Sequence, residues 1–219
     1  MISDSRMTDY LHSLESGQGC LLDEIEKKAV RDRIPIIRRE TAALLRTLIY
    51  ASKPGKILEI GTAVGYSALM MCQAMPQNGR IVTIEKYEKR IEEARKNFLR
   101  AGVGEKITLM EGDADHILDT LSHQHFDLIF MDAAKGQYLG WLPKILPMME
   151  PGALLISDNV LQDGDVIQSR FAIERRNRTI HSRMREYLYE LKHCPFLETA
   201  ILTVGDGVAL SARKERIDL

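Results

Sequence analysis

The feature that most constrains the fold is a regular alternation of short apolar runs with segments of helical spacing, which begins after residue 55. Runs of strand length are found at Lys56–Gly61, Arg80–Glu85, Ile107–Gly112, Phe126–Asp132 and Ala153–Asp158. Helices are predicted after them at Tyr66–Met75, Tyr87–Ala101, Ala114–Leu121, Tyr138–Met149 and Gln168–Lys192. Strands that alternate with helices predict a mostly parallel sheet covered by helices on both faces.

Both ends of the chain depart from this alternation. Three helical segments precede it, at about Thr8–Ser16, Leu21–Asp32 and Arg38–Ala51. Near the other end, the turn residues GDG separate the β-rich runs LETAILTV and VALSARK, which predicts an antiparallel hairpin. We therefore expect an α/β fold with a doubly wound, mostly parallel seven-stranded sheet. A single domain would cover residues 1–219, with a helical cap over residues 1–50 and the core over residues 51–219.

Composition excludes several classes of protein. The three cysteines, Cys20, Cys72 and Cys194, form no CxxC pair, so neither a disulfide framework nor a thiolate metal site is expected. No run approaches the roughly 20 apolar residues that span a bilayer, and the first residues lack an apolar signal core. We expect a cytoplasmic protein without a membrane partner. The formal net charge of −1 does not indicate nucleic acid, although a local basic surface is compatible with it.

The stretch LEIGTAVGYSA places Gly61 and Gly65 where the first strand turns into a helix. Glu85 ends the second strand, where a carboxylate can accept hydrogen bonds from ribose hydroxyls. A nicotinamide dehydrogenase would share these features, but its G-x-G-x-x-G fingerprint is incomplete here. Glu59 would repel a phosphate and suits a ligand with a cationic end, such as the amino acid part of S-adenosylmethionine. An ordinary glycine turn is the alternative without function.

Asp113 follows the third strand in the sequence Glu111-Gly-Asp-Ala114. Its carboxylate could accept a hydrogen bond from an adenine amino group, or cap the helix that follows. The two roles are compatible, and the sequence does not choose between them.

Two further strands end on acidic residues. Asp132 ends the fourth strand, and Asp158 with Asn159 ends the fifth. Neighbouring strands lie about 4.8 Å apart, so these side chains can converge on one ion. Carboxylate and amide oxygens select Mg²⁺, Mn²⁺ or Ca²⁺ rather than zinc. The alternative is that both aspartates are helix caps or polar strand ends.

Lys135 follows Asp132 by three residues in the stretch MDAAKGQY. Charge repulsion by a bound dication would favour its neutral amine, which could then take a proton from a substrate hydroxyl. A solvent-exposed surface lysine is the simpler interpretation.

These motifs resemble those of a known family. LEIGTAVGYS, IEK, EGDA, MDAAKGQY and ISDNV are similar to the cation-dependent class I O-methyltransferases, which include the catechol and caffeoyl-CoA methyltransferases. The resemblance covers about residues 30–213 and implies a Rossmann-like methyltransferase fold. It implies Mg²⁺ or Mn²⁺ on Asp132, Asp158 and Asn159, with Asp132 and Lys135 as catalytic residues and Lys135 as the base. It also implies S-adenosylmethionine bound by Glu59, Gly61, Gly65, Ser67, Glu85, Asp113, Ala114 and Asp132.

Within that family, the motifs most resemble bacterial enzymes that convert 5-hydroxyuridine to 5-methoxyuridine at the wobble position of tRNA. This resemblance implies binding of a tRNA anticodon loop, and related enzymes form homodimers. Two basic stretches could border the site and contact RNA phosphates. Their arginines are Arg31, Arg33, Arg38, Arg39, Arg170, Arg175, Arg176, Arg178, Arg183 and Arg185.

Alternative functions stay open at this point. The second basic stretch could be a solvated helical face with i,i+4 pairs between Arg170, Glu174 and Arg178. A small catechol or phenol could be the substrate, with Trp141, Tyr138 and Phe171 as an apolar wall, although these rings could equally stack a flipped-out base. A nicotinamide-dependent oxidoreductase and a non-catalytic RNA-binding module are the remaining alternatives.

Overall fold

The computed structural model describes residues 5–215 and contains a seven-stranded sheet. Residues 1–4 and 216–219, the ends of the predicted domain, lie outside this description. The strands are β1 (Lys56–Ile60), β2 (Arg80–Glu85), β3 (Ile107–Glu111), β4 (Phe126–Met131), β5 (Met149–Asp158), β6 (Leu197–Leu202) and β7 (Val208–Arg213). Their order is β3-β2-β1-β4-β5-β7-β6, and only the pairs that include β7 are antiparallel. The predicted parallel sheet and its antiparallel hairpin are confirmed.

The helices lie where the apolar periodicity predicts them, with shifts at their ends. They are α1 (Ser5–Ser13), α2 (Cys20–Arg31), α3 (Arg39–Ser52), α4 (Tyr66–Ala74), α5 (Glu88–Ala101), α6 (Ala114–Thr120), α7 (Tyr138–Ile145) and α8 (Arg178–His193). Helix α7 is shorter than predicted because residues 146–148, which include Pro147, form a 3-10 turn. Within residues 5–215, no helix is both long and apolar enough to span a bilayer.

The sheet separates two apolar cores. Neighbouring residues of one strand belong to opposite cores, as Ile57 and Leu58 do in β1. Side chains from α2, α3 and α4 fill the first core, and side chains from α6, α7 and α8 fill the second. This alternation follows from the period of two in a strand, and it confirms that helices cover both faces.

The long helix predicted over Gln168–Lys192 is confirmed only from Arg178 onward, and its first part is wrong. Helix α8 begins only at Arg178, after a 3-10 turn at Arg175–Asn177 and an irregular segment before it. The side chains of Arg178, His181 and Arg185 in α8 donate hydrogen bonds to backbone carbonyls of residues 166–173. These tertiary contacts satisfy the backbone in a non-helical path, which local periodicity cannot reveal.

Parallel strands bring their carboxyl ends to one edge of the sheet. In this order the chain reverses direction along the sheet between β1 and β4, which is the topological switch point. Ligands of open α/β sheets bind in the crevice at such a point. The residues that follow β1, β2, β3 and β4 should therefore form one site.

Candidate active site

A pocket of about 510 Å³ opens at this edge of the sheet. The turns after β1, β2, β3 and β4 form most of its wall, and residues 35–37, before α3, contribute to it. It includes six of the predicted cofactor residues, namely Gly61, Ser67, Glu85, Asp113, Ala114 and Asp132. The catalytic candidate Lys135 also lies on its wall. The sequence thus indicated seven of the residues that line this pocket.

Gly61 keeps the pocket open at the switch point. A Cβ atom at this position would overlap the backbone carbonyl of Asp132, and the φ angle of 107° lies in the region that favours glycine. The end of β1 can therefore pack directly against the end of β4.

Glu85 is held by backbone amides. Its carboxylate accepts hydrogen bonds from the amides of Ala63 at 2.8 Å and of Lys86 and Tyr87 at 3.0 Å each. A carboxylate has about four acceptor sites, so one remains for a ligand hydroxyl. This geometry suits the predicted contact with a ribose.

Asp113 performs the capping role and also lines the pocket. Its side chain accepts a hydrogen bond from the Asp115 amide at 3.0 Å, which caps α6. That bond, together with Lys86 at 3.3 Å, lowers the pKa of the Asp113 carboxyl. Because the carboxylate stays charged and partly exposed, it also remains available to a ligand amino group.

Glu59 and Gly65 lie behind the wall of the pocket. Glu59 is fully buried, and its carboxylate accepts hydrogen bonds from Ser67 Oγ and Thr83 Oγ1 at 2.5 Å each. Burial raises the pKa of Glu59 to about 7. A Cβ on Gly65 would lie 2.6 Å from Cε1 of Phe98, so this glycine permits helix packing. Neither residue lines the pocket, and their part in binding the cofactor stays a prediction; Glu59 is connected to the pocket wall by its hydrogen bond with Ser67.

The acidic cluster lies where β4 and β5 end. Lys135 Nζ is 3.3 Å from Asp132 Oδ1. Asp158 is almost fully buried, and its Oδ1 accepts hydrogen bonds from the Asn159 amide at 2.8 Å and from Thr41 Oγ1 at 3.4 Å. Burial, and then the charge of Asp132, raise the pKa of Asp158 to about 7. The two carboxylates therefore repel each other in a poorly solvated place.

A divalent cation fits this cluster. Asp158 Oδ2 is buried and has no hydrogen-bond partner among the described residues, which is costly for a carboxylate unless a cation completes it. No group of three His, Cys, Asp or Glu side chains in residues 5–215 is arranged to hold a metal. The oxygens that would hold a cation belong to the carboxylates of Asp132 and Asp158 and to the side-chain amide of Asn159. Such an oxygen set suits Mg²⁺ or Mn²⁺ better than zinc.

The aromatic residues do not form the continuous wall that a small-phenol site would need. Trp141 lines the pocket, and its Nε1 is buried without a hydrogen-bond partner in the described structure. Tyr138 is fully buried and bonds the backbone at the ends of both acidic strands, a role that the sequence did not indicate. Phe171 is 85% exposed and does not line the pocket.

The predicted RNA-binding arginines fall into two groups. Four pair with acids: Arg31 with Asp32, Arg38 with Asp163, Arg39 with Glu26 and Arg176 with Glu174. Three others donate to backbone carbonyls: Arg178 to Ile173 and Phe171, Arg183 to Gly136, and Arg185 to Val166 and Gln168. The i,i+4 pairing of Glu174 with Arg170 and Arg178 is not formed, because this segment is not helical.

The side chains of the remaining three, Arg33, Arg170 and Arg175, have no salt-bridge or hydrogen-bond partner among residues 5–215. All three are exposed. An arginine that donates to a carbonyl keeps its full charge, so the segment of residues 170–185 stays basic. The segment of residues 170–185 therefore keeps its positive charge, in the part of the chain that follows β5 and Asn159.

Comparison with known proteins defines the class. The O-methyltransferase family matches residues 12–214. A catechol O-methyltransferase from Niastella koreensis is 38% identical over 126 residues, 56% of this chain and 57% of that enzyme. A catechol O-methyltransferase from Mycobacterium tuberculosis is 33% identical over 181 residues, 80% of this chain and 79% of that one. The solved structure of the SAH-bound Podospora anserina methyltransferase PaMTH1 matches with a TM-score of 0.85 at 29% identity, over 96% of this chain and 95% of that chain.

The chain belongs to the O-methyltransferase family. It is an S-adenosylmethionine-dependent O-methyltransferase of the catechol and caffeoyl-CoA type. This membership replaces the nicotinamide oxidoreductase as an interpretation of the glycine turn.

Proposed function

We propose that this chain methylates 5-hydroxyuridine at the wobble position of tRNA, with Mg²⁺ or Mn²⁺ as its metal. One observation carries the metal-dependent chemistry: the buried and unpartnered Asp158 Oδ2 lies in the cluster with Asp132, which also lines the cofactor pocket. A methyl acceptor that carries a hydroxyl group beside a second oxygen would reach the acidic cluster and the cofactor pocket at once. Catechols and 5-hydroxyuracil share this arrangement of oxygens.

The residues of the chain have separate tasks in this proposal. Asp132, Asp158 and Asn159 hold the cation, which stabilises the acceptor oxyanion when bound. S-adenosylmethionine supplies the methyl group, and Glu85, Asp113 and Ser67 orient it from the pocket wall. The protein contributes mainly the relative position of the two reactants.

Lys135 as the proton acceptor stays a prediction. Its amine lies on the pocket wall and 3.3 Å from Asp132 Oδ1, which places it beside the acceptor site. The geometry is compatible with a base and equally with a residue that balances the charge of Asp132. Replacement of Lys135 by methionine should separate the two: loss of a base lowers the turnover rate most strongly at low pH, whereas loss of charge balance lowers it equally across pH.

The basic loop supports RNA as the substrate. The side chains of Arg170 and Arg175 are exposed and have no partner among residues 5–215, and Phe171 between them is 85% exposed. Exposed guanidinium groups suit phosphates, and an exposed aromatic ring suits an unstacked base. A small catechol is the alternative substrate, and it is favoured by the named activities of the two catechol O-methyltransferases to which this chain is similar.

A methyl-transfer assay tests the proposal. Purified protein would receive labelled S-adenosylmethionine and either tRNA that contains 5-hydroxyuridine or free catechol, each with and without EDTA. Label in tRNA that disappears with EDTA and in Asp158→Asn is the expected result. Label in catechol alone would overturn the tRNA substrate, and no transfer to either acceptor would support a non-catalytic RNA-binding protein. The expected homodimer stays a prediction for analytical ultracentrifugation.

A further inference from the structure

The segment that follows β5 has an unusual backbone. Asn159, Gln162 and Asp163 have φ angles of 56°, 51° and 52°, in a region that residues other than glycine seldom adopt. Such conformations persist where surrounding contacts over-determine them, and they concentrate at functional sites. Because this segment contains the proposed metal ligand Asn159, the contacts that hold it also determine the metal site.

Those contacts come from the turn between β6 and β7, residues 205–207. The amides of Val160 and Leu161 donate to the carbonyls of Gly207 and Asp206, each at 3.0 Å. The amide of Asp163 donates to the side-chain Oδ1 of Asp206. Three hydrogen bonds thus join Val160, Leu161 and Asp163 to this one turn, and the side chain of Asp206 accepts the last of them.

The turn is packed tightly on both sides. A Cβ on Gly205 would lie 2.6 Å from Thr41 Oγ1, and a Cβ on Gly207 would overlap the side chain of Leu161. Thr41 in turn donates to Asp158 Oδ1. Burial raises the pKa of Asp206, and the positive charges of Arg38 and Lys135 act against that shift. The turn therefore lies against Thr41, which bonds to Asp158, and against Val160 and Leu161, which follow Asn159.

We propose that Asp206 is a positioning residue for the metal site, which it orders by accepting the hydrogen bond of the Asp163 amide. This inference rests on the proposed function, because it assumes that Asp158 and Asn159 bind the cation. Asp206 contacts no metal in this proposal; it holds the backbone from which Asn159 projects. Partners that orient metal ligands typically change metal affinity by 10- to 100-fold when removed.

Binding of Mn²⁺, measured by electron paramagnetic resonance on the intact protein, tests the proposal without reference to turnover. Asp206→Ala should weaken Mn²⁺ binding by about tenfold or more. Asp206→Asn keeps an acceptor at Oδ1 and should bind Mn²⁺ within about threefold of the wild type, well short of that loss. Asp163→Asn is the matched control, since it removes an exposed carboxylate of the same segment and keeps the amide; its Mn²⁺ affinity should not change. Affinity for S-adenosylhomocysteine should stay constant in every variant.

Two results would overturn the positioning role: unchanged Mn²⁺ affinity in Asp206→Ala, or an equal loss in Asp206→Ala and Asp206→Asn, which would assign the effect to charge. If Asp206→Ala does not fold, Asp206→Ser decides the matter, because its shorter side chain also leaves the Asp163 amide without its partner. A wild-type protein that binds no Mn²⁺ would refute the metal site itself. Wild-type binding with unaffected variants would refute only the role of Asp206.

Discussion

The hydroxyl of Tyr138 lies 3.3 Å from the carbonyl oxygen of Asp158, at the end of β5. The same hydroxyl lies 3.1 Å from the carbonyl of Met131, at the end of β4, and accepts a hydrogen bond from the Ala133 amide at 3.2 Å. One buried phenol therefore connects the two strand ends that carry the acidic residues. Since a hydroxyl has a single hydrogen, it donates to one of the two carbonyls at a time.

Replacement of Tyr138 by phenylalanine should lower the free energy of unfolding by about 1–3 kcal/mol, because it leaves the Ala133 amide and a carbonyl without a partner in a buried place. Urea denaturation measures this change. Tyr189→Phe, at an exposed ring of α8, is the control and should have almost no effect. A Tyr138→Phe variant as stable as the wild type would show that the phenol does not hold the strand ends.

The sequence located the acidic strand ends but not the residues that support them. Asp132, Asp158 and Asn159 were predictable because each follows a buried apolar run, and parallel strands must end at a common edge. For Tyr138 the sequence offered only two alternatives, an apolar wall for a small phenol or a partner for a stacked base, since no periodicity reports the direction of one aromatic ring. Asp206 looked like an ordinary turn residue, because its partner Asp163 is 43 positions away in the chain.

The wrong long helix has a related cause. Residues 168–177 contain residues that are compatible with helix, and their irregular path depends on hydrogen bonds from Arg178 and Arg185 that form only in the folded chain. The same bonds explain why sequence could not separate arginines that hold the loop from those free to contact RNA. Local pattern therefore predicted the sheet well and the loop between β5 and α8 poorly.

Glu59 should make stability depend on pH. Burial raises its pKa from 4.5 to about 7, so the folded protein binds more protons than the unfolded chain between these values. The stability contribution of Glu59 is thus fully present below pH 4.5 and is lost as pH rises to about 7, by roughly 3 kcal/mol at most. Glu59→Gln should flatten this part of the curve in urea titrations. An unchanged pH dependence would contradict the buried, high-pKa carboxyl.

The affinity for metal should become weaker as the pH falls. A cation must displace the proton from Asp158, whose pKa is raised to about 7. Below that pH, Mn²⁺ binding should weaken by up to about tenfold per pH unit, because ligands must be deprotonated to bind metal. Calorimetric titrations at pH 6 and pH 8 measure the change, and Asp158→Asn should bind no Mn²⁺ at either pH. Equal affinity at both pH values would place the ion elsewhere.

The exposed arginines should govern RNA affinity through charge. Arg170→Ala and Arg175→Ala should each weaken binding of a tRNA anticodon stem-loop and lower the slope of log Kd against log salt by about one. Fluorescence anisotropy at several salt concentrations measures both quantities. Arg80→Ala is the matched control, because Arg80 starts β2 at the opposite edge of the sheet. If Arg170→Ala and Arg175→Ala lose no more RNA affinity than Arg80→Ala does, this loop does not contact the RNA.

The ends of β4 and β5 should hold one divalent ion beside the cofactor pocket. A crystal structure with Mn²⁺ and S-adenosylhomocysteine, measured at the manganese absorption edge, tests it most directly. We expect an anomalous peak about 2.1 Å from oxygens of Asp132, Asp158 and Asn159. The contradicting result would be a structure in which S-adenosylhomocysteine fills the cofactor pocket but manganese is absent and these three side chains point away from one another.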